Sequence, residues 1–128
     1  MKNKITAVKE FHKAFGLGFK ETPTADLGIK KNLLRYKLMR EENEEYLEAA
    51  NTNDLVEVAD ALGDMLYILC GTIIEHGMQH KIEEVFNEIQ RSNMSKLGAD
   101  GKPIYREDGK VLKGPDYFQP KIKEILEG

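Results

Sequence analysis

Hydrophobic residues recur three or four positions apart along most of the chain, which is the spacing of an amphipathic α-helix. Four segments before residue 97 show this spacing, and short polar or glycine-containing stretches separate them. The predicted helices run over residues 3–15, from a cap at Thr24 or Asp26 to about residue 50, from a cap at Asn53 or Asp54 to about residue 76, and over about residues 79–93. This pattern indicates an all-α bundle.

The chain has a different character after residue 96. Three of the four prolines lie between Leu97 and Pro120, and β-prone residues flank Asp108-Gly109, a dipeptide typical of hairpin turns. A short helix is expected after Pro120. We therefore predict a four- to five-helix bundle with an irregular or hairpin C-terminal arm. The prediction is one domain over residues 1–128, with a helical core over about 3–96 and the arm over about 97–128.

Length and charge limit the possible functions. At 128 residues the chain is long enough for one hydrophobic core, and its formal charge is −3. It lacks the basic field of a general nucleic-acid binder, and its longest uncharged run is about half of a membrane-spanning helix. We expect neither nucleic acid nor a membrane as a partner. The N-terminus lacks a signal-peptide core, and the single cysteine, Cys70, lies in an apolar run, so we expect a cytoplasmic protein with a buried thiol.

Acidic residues are concentrated in the second predicted helix, where five of the eight residues of the segment EENEEYLE are glutamates. Like charges four positions apart destabilise a helix by roughly 0.2–0.5 kcal/mol per pair. At about 100° per residue, Glu41, Glu42 and Glu45 fall on the same arc as Leu34 and Leu38. A surface helix normally keeps its acids off the apolar arc. These three glutamates are therefore candidates for binding a cation.

The third predicted helix carries a second acidic group, formed by Glu57, Asp60 and Asp64 within about 60° of one another. Asp64 precedes the run MLYILCGTII, which is apolar on every side, so we expect Asp64 to enter a buried region. The main apolar arc of this helix lies opposite the acids. Burial of the acidic face therefore requires a second helix layer or a dimer partner. Two acidic groups on adjacent antiparallel helices form a pocket of up to six carboxylates, the oxygen ligands that Mg²⁺ prefers. The alternative is that they only keep a charged helix soluble.

At these residues the sequence resembles the all-α nucleoside triphosphate pyrophosphohydrolases, the MazG-like and phosphoribosyl-ATP pyrophosphohydrolase-like superfamily. The resemblance is closest to the MazG-like dUTP diphosphatases. It extends over most of the chain through EFHKAFG, MREENEEYLEA, LGDMLYILCG, VFNEIQRSNMSK and the DGK that precedes KGPDYFQP. It implies hydrolysis of a (deoxy)nucleoside triphosphate, with dUTP favoured, to the monophosphate and pyrophosphate.

The resemblance also implies Mg²⁺, with Mn²⁺ as a substitute, held by carboxylates of both helices. The first-helix ligands, one of which orients the attacking water, are Glu41, Glu42 and Glu45. Asp64 matches the second-helix aspartate, but the family's glutamate three residues earlier falls on Ala61. The second ligand pair is therefore either Glu57 with Asp60 or Asp60 with Asp64.

Four residues nearer the C-terminus complete the implied site. Asn93 and Lys96 match the family's Asn-x-x-Lys, which contacts base or sugar and phosphate, and Lys110 and Lys113 lie on an arm suited to an anionic substrate. Without the resemblance, Asn93 and Lys96 indicate only the end of a helix, where asparagine and lysine are common. The two arm lysines alone indicate a solvated loop.

Two other functions are compatible with these residues. One is hydrolysis of phosphoribosyl-ATP, which the extended C-terminal arm makes the second choice. The other is a non-enzymatic helical module that binds divalent cations or a partner helix. In either case the apolar half of the third helix needs more cover than four short helices provide, so we expect a homodimer or a dimer of dimers.

Overall fold

Five α-helices form the framework of the protein, whose computed structural model describes residues 1–128. They are α1 Lys2–Ala14, α2 Ile29–Asn51, α3 Leu55–Glu75, α4 Ile82–Met94 and α5 Ile122–Glu127. The only β-type pairing is an isolated antiparallel bridge between Tyr105 and Val111. The all-α prediction is confirmed, and the bridge closes the hairpin predicted around Asp108-Gly109. No helix has the length and hydrophobicity needed to cross a membrane.

Local hydrogen bonds decide where two of the helices begin. The Asp54 carboxylate accepts a hydrogen bond from the Glu57 backbone N–H at 3.1 Å, so Asp54 caps α3 as predicted. Neither Thr24 nor Asp26 caps α2, which begins after Gly28. Asp26 instead accepts from the Gly28 N–H and from the Asn32 side-chain amide, both at 2.9 Å, and so braces the turn before the helix.

The chain folds as two compact units, Met1–His80 and Lys81–Gly128. In the first unit α2 packs along α3 as an antiparallel pair, and α1 packs against α3. The buried apolar residues of the chain all belong to this unit: Ile5, Val8, Ala49, Ala61, Cys70, Ile73 and Ile74. Cys70 is fully buried, as predicted for its thiol.

A buried ionic network joins α2 to the C-terminal half of α3. Glu75 is 4% exposed and pairs with Lys31 Nζ at 2.7 Å and with Arg35 Nε at 3.2 Å. Arg35 also donates to the Thr72 hydroxyl at 3.0 Å and to the Ile68 carbonyl at 2.8 Å. Gly71 lies beneath this guanidinium, and a Cβ there would come within 2.7 Å of it. A small residue on α3 is therefore required for Arg35 to enter the interface.

The second unit holds the C-terminal arm against α4. The Ser92 hydroxyl donates to the Phe118 carbonyl at 2.8 Å, and the Phe118 N–H donates to the Ser95 hydroxyl at 3.2 Å. The Arg91 guanidinium lies 4.4 Å from the centre of the Phe118 ring. Gly114 packs so closely on the end of α4 that a Cβ there would be 2.1 Å from the Leu97 carbonyl oxygen. The Lys-Gly-Pro segment of the arm is thereby fixed beside the Ser-Asn-Met-Ser-Lys segment.

One face of α3 has no cover. It carries what we call the leucine stripe, formed by Leu55, Leu62, Leu66 and Leu69, all of them exposed. The prediction that the run from Met65 to Ile74 is covered on every side is therefore wrong for Leu66, Tyr67 and Leu69, because α1 and α2 occupy only two sides of α3. Asp64 is likewise exposed, contrary to the prediction that it enters a buried region.

Candidate active site

The face that α2 turns towards α3 is centred on three residues spaced seven apart, Arg35, Glu42 and Ala49. Arg35 and Ala49 are buried and Glu42 is half-buried. The predicted arc ran from Glu41 through Leu34 and Leu38 to Glu42, and Leu34 is 49% exposed. The interface with α3 is centred on the Glu42 end of that arc. As a result Glu42 points at α3, whereas Glu45 lies on the flank of the interface and Glu41 further out on the exposed side.

Glu42 is the most perturbed carboxyl group of the protein. One of its oxygens is buried and has no hydrogen-bond partner. Burial, then the neighbouring Glu45 carboxyl, and then the negative charges of Asp64 and Asp60 raise the pKa of Glu42 to about 7. Both acidic groups predicted from the sequence therefore contribute to one cluster, Glu42, Glu45, Asp60 and Asp64, which we call the carboxylate cluster.

The second-helix residues divide between this cluster and an adjacent cleft. Asp60 and Asp64 act on Glu42, whereas Glu57 lines an open cleft of about 280 Å³. Glu45 takes part in both, since it borders Glu42 and also lines the cleft. Ala61, where the resembling family has a glutamate, is 2% exposed. A buried position in the helix interface suits a small side chain better than a charge.

A cation would find its ligands here only after side-chain rotation. No three acidic, histidine or cysteine side chains are arranged to hold a metal ion. Glu45, Asp60 and Asp64 are nevertheless exposed and free to turn, and the unpartnered Glu42 oxygen needs a proton, a donor or a cation. The donor set consists of carboxylate oxygens alone, which suits Mg²⁺ or Mn²⁺.

The remaining predicted residues belong to the second unit. Asn93 and Lys96 lie at the C-terminal end of α4, where the Lys96 N–H donates to the Asn93 carbonyl at 3.1 Å. Lys113 lies on the arm, with its ammonium 4.8 Å from the centre of the Tyr117 ring, and Lys110 follows the hairpin turn and is exposed. Gly114, the residue after Lys113, packs against the backbone carbonyls of Lys96 and Leu97.

Several structural residues escaped the sequence reasoning. Ser92 and Ser95, which hydrogen-bond to the Phe118 backbone, lie within the motif SNMSK. The sequence predicts roles only for Asn93 and Lys96 of this motif. Tyr67 on α3 is 43% exposed and contacts Phe11. Because residues three apart on a helix share a face, the sequence alone could have placed Tyr67 beside Asp64.

Comparison with known proteins identifies the family of the chain. The family model described as phosphoribosyl-ATP pyrophosphohydrolase matches residues 8–93. The chain belongs to this family. The matched region contains all six predicted carboxylates and Asn93, and it ends before Lys96 and the arm.

A solved structure of a candidate NTP pyrophosphohydrolase from Exiguobacterium sp. 255-15 is similar to the whole chain. It is 26% identical, with a TM-score of 0.50, and the match covers 98% of this chain and 94% of the other. No curated protein sequence is significantly similar to the chain. The family and this structural relative together support pyrophosphohydrolase-type chemistry, which the sequence motifs predict.

Proposed function

We propose that the protein hydrolyses a nucleoside triphosphate to the monophosphate and pyrophosphate at the carboxylate cluster, with dUTP as the favoured substrate. The observation that carries the proposal is the buried oxygen of Glu42, which has no hydrogen-bond partner. Burial, Glu45, Asp64 and Asp60 raise the pKa of this carboxyl group. Such a group is costly in a protein that gives it no role, because like charges and burial both oppose its ionisation.

Mg²⁺, or Mn²⁺ in its place, is the proposed cofactor, and Glu42, Glu45, Asp60 and Asp64 are its proposed ligands. When bound, such an ion neutralises phosphate charge and acts as a Lewis acid. Glu45 borders both Glu42 and the open cleft, so it is our candidate for orienting the attacking water. Glu41 and Glu57 lie on the flanks as alternative ligands.

The substrate contacts are proposed from the motif matches. Asn93 and Lys96 would contact the base or sugar and the phosphates, and Lys110 and Lys113 would stabilise the departing pyrophosphate. Support comes from the second unit itself, where Gly114, the residue after Lys113, packs on the backbone of Lys96 and Leu97.

Hydrolysis of phosphoribosyl-ATP is the second candidate, since the matching family model carries that description. Both reactions release pyrophosphate, so product analysis alone does not separate them. A substrate panel does: preference for phosphoribosyl-ATP over every nucleoside triphosphate would favour the second candidate.

The test uses purified protein, Mg²⁺ and a panel of canonical nucleoside triphosphates, with pyrophosphate and orthophosphate measured separately. We expect pyrophosphate, no activity with EDTA, and a loss of about 100-fold or more in kcat/KM for Glu42→Gln. Glu44→Gln is the matched control, because Glu44 is exposed and pairs only with Arg40 on its own helix. Orthophosphate as the sole product, or equal activity of the two variants, would contradict the proposal.

A further inference from the structure

Three aromatic rings form a group where α1 meets α3. The ring centroids of Phe11 and Phe15 are 4.4 Å apart with an interplanar angle of 33°, and Tyr67 meets Phe11 edge-on at 5.6 Å. Phe15 is 68% exposed, and the other two rings are about 40% exposed. The apolar residues that α1 needs for packing, Ile5 and Val8, are buried separately. The aromatic group therefore presents free ring surface to solvent.

This group lies on the same side of α3 as the carboxylate cluster. Tyr67 follows Asp64 by three residues and Asp60 by seven, so all three share one helix face within about 60°. Residues three apart on a helix have Cβ atoms about 5–6 Å apart. The edge of the aromatic group is thus about one helical turn from the nearest acid of the cluster.

The packing of α1 explains why its two phenylalanines face that way. Lys9, on the opposite flank of α1, lies over Phe19 at 4.7 Å and pairs with Glu21. That loop is tied to the C-terminal end of α3, because the Lys20 N–H donates to the Ile74 carbonyl. The flank of α1 that carries Phe11 and Phe15 therefore faces away from that loop, and Phe11 meets α3 at Tyr67.

We propose that the base of the nucleotide stacks on the rings of Phe11 and Phe15 beside Tyr67, while its phosphates extend to the carboxylate cluster. This inference rests on the proposed function and names where the substrate is held. Aromatic side chains bind bases through ring faces that every base possesses, so this contact favours affinity over base selectivity. Discrimination of uracil from other bases has to come from additional contacts.

The binding test needs no catalysis, because dUMP is a reaction product, and it is run with Mg²⁺ present. Proton NMR of dUMP with the full chain should show an upfield shift of the uracil ring protons, because stacked rings shield them. Phe15→Ala should weaken dUMP binding roughly tenfold to hundredfold and abolish this shift. Phe15→Tyr should retain both the affinity for dUMP and the upfield shift. Deoxyribose 5-phosphate, which has no base, should bind wild type and Phe15→Ala equally. Phe86→Ala, which removes a 65% exposed ring from the second unit, is the matched control.

The kinetic test separates this inference from the proposed function. Phe15→Ala should raise the KM for a nucleoside triphosphate by the same factor, leave kcat nearly unchanged, and leave hydrolysis of inorganic tripolyphosphate unaffected. Absence of pyrophosphate release by wild type would refute the function. Normal release with an unchanged KM in Phe15→Ala, or no shielding of dUMP by wild type, would refute the stacking. Dissociation of a wild-type dimer by Phe15→Ala would instead make the group an interface between copies and overturn the inference.

Discussion

Glu42 differs from the other glutamates of α2 because it points towards α3, where water does not reach one of its oxygens. Glu44 and Glu48, on the outer side of the helix, are solvated and tolerate one another at little cost. Glu42 has neighbouring acids and no donor, so ionisation brings an uncompensated charge into the helix interface. Among the glutamates of α2, Glu42 is therefore the one whose ionisation is opposed most strongly.

The raised pKa of Glu42 predicts how the metal-free protein responds to pH. A carboxyl group whose pKa is about 7 when folded and 4.5 ordinarily binds its proton more tightly in the folded state. Its stabilising contribution is complete below about pH 4.5 and is lost as the pH rises through 7. Urea unfolding in EDTA should show wild type losing stability relative to Glu42→Gln between pH 5 and 7.5. If the free energies of unfolding of the two proteins change with pH in parallel, the raised pKa of Glu42 is contradicted. Added Mg²⁺ should restore the stability of wild type at pH 7.5.

The buried network around Glu75 predicts a large effect of a single carboxylate on the pairing of α2 with α3. Glu75→Ala leaves the 9% exposed Arg35 guanidinium without its charge partner. Breaking a buried pair in this way typically lowers the free energy of unfolding by about 3–5 kcal/mol. Urea denaturation measures it. Glu44→Ala, which breaks the exposed Arg40–Glu44 pair, is the control and should cost about 0.5 kcal/mol or less. Similar losses in both variants would show that Glu75 is effectively solvated.

The same helix pair shows which structural features the sequence could predict. The cap of α3 was predicted at Asn53 or Asp54, because a capping side chain binds an N–H only three residues away, as Asp54 binds that of Glu57. The period of α2 was also predictable, but the direction of its buried face was not. That face includes Arg35, whose burial depends on Glu75, forty residues later in the chain. Hydrophobicity alone favours Leu34 for the core, and only the distant partner makes the arginine the better choice.

For the candidate site, the sequence placed six carboxylates on two helices but could not give the direction in which each one points. All six carboxylates were chosen from spacing, yet packing against α3 singles out Glu42 and leaves Glu41 exposed. A shift of one residue rotates a helix face by about 100°, so a pattern of adjacent glutamates cannot specify which one points inward. The aromatic group was missed for a related reason: its rings come from two helices that no local pattern relates.

The leucine stripe is an exposed apolar face of α3 in the first unit. Leu55, Leu62 and Leu69 repeat every seven residues, and the half-buried Val58 and Met65 occupy the intervening positions. This heptad spacing is that of a helix which packs along another helix. The stripe lies opposite the acids on α3, so a partner there leaves the carboxylate cluster open. We therefore propose a second copy of this chain as its partner, in line with the homodimer expected from the sequence.

A charge within the stripe should separate the two copies without unfolding either. Burying a leucine stabilises by about 1.5–3 kcal/mol, and a two-fold axis counts each residue twice. Leu62→Lys should then raise the dimer dissociation constant by about two to four orders of magnitude. Sedimentation equilibrium measures the constant, and circular dichroism checks that the helices persist. Leu47→Lys is the matched control, since Leu47 is 57% exposed on the side of α2 away from α3. A monomeric wild type, or a dimer that Leu62→Lys leaves intact, would place the stripe outside any interface between copies, because a buried lysine pair at a two-fold axis is too costly to persist.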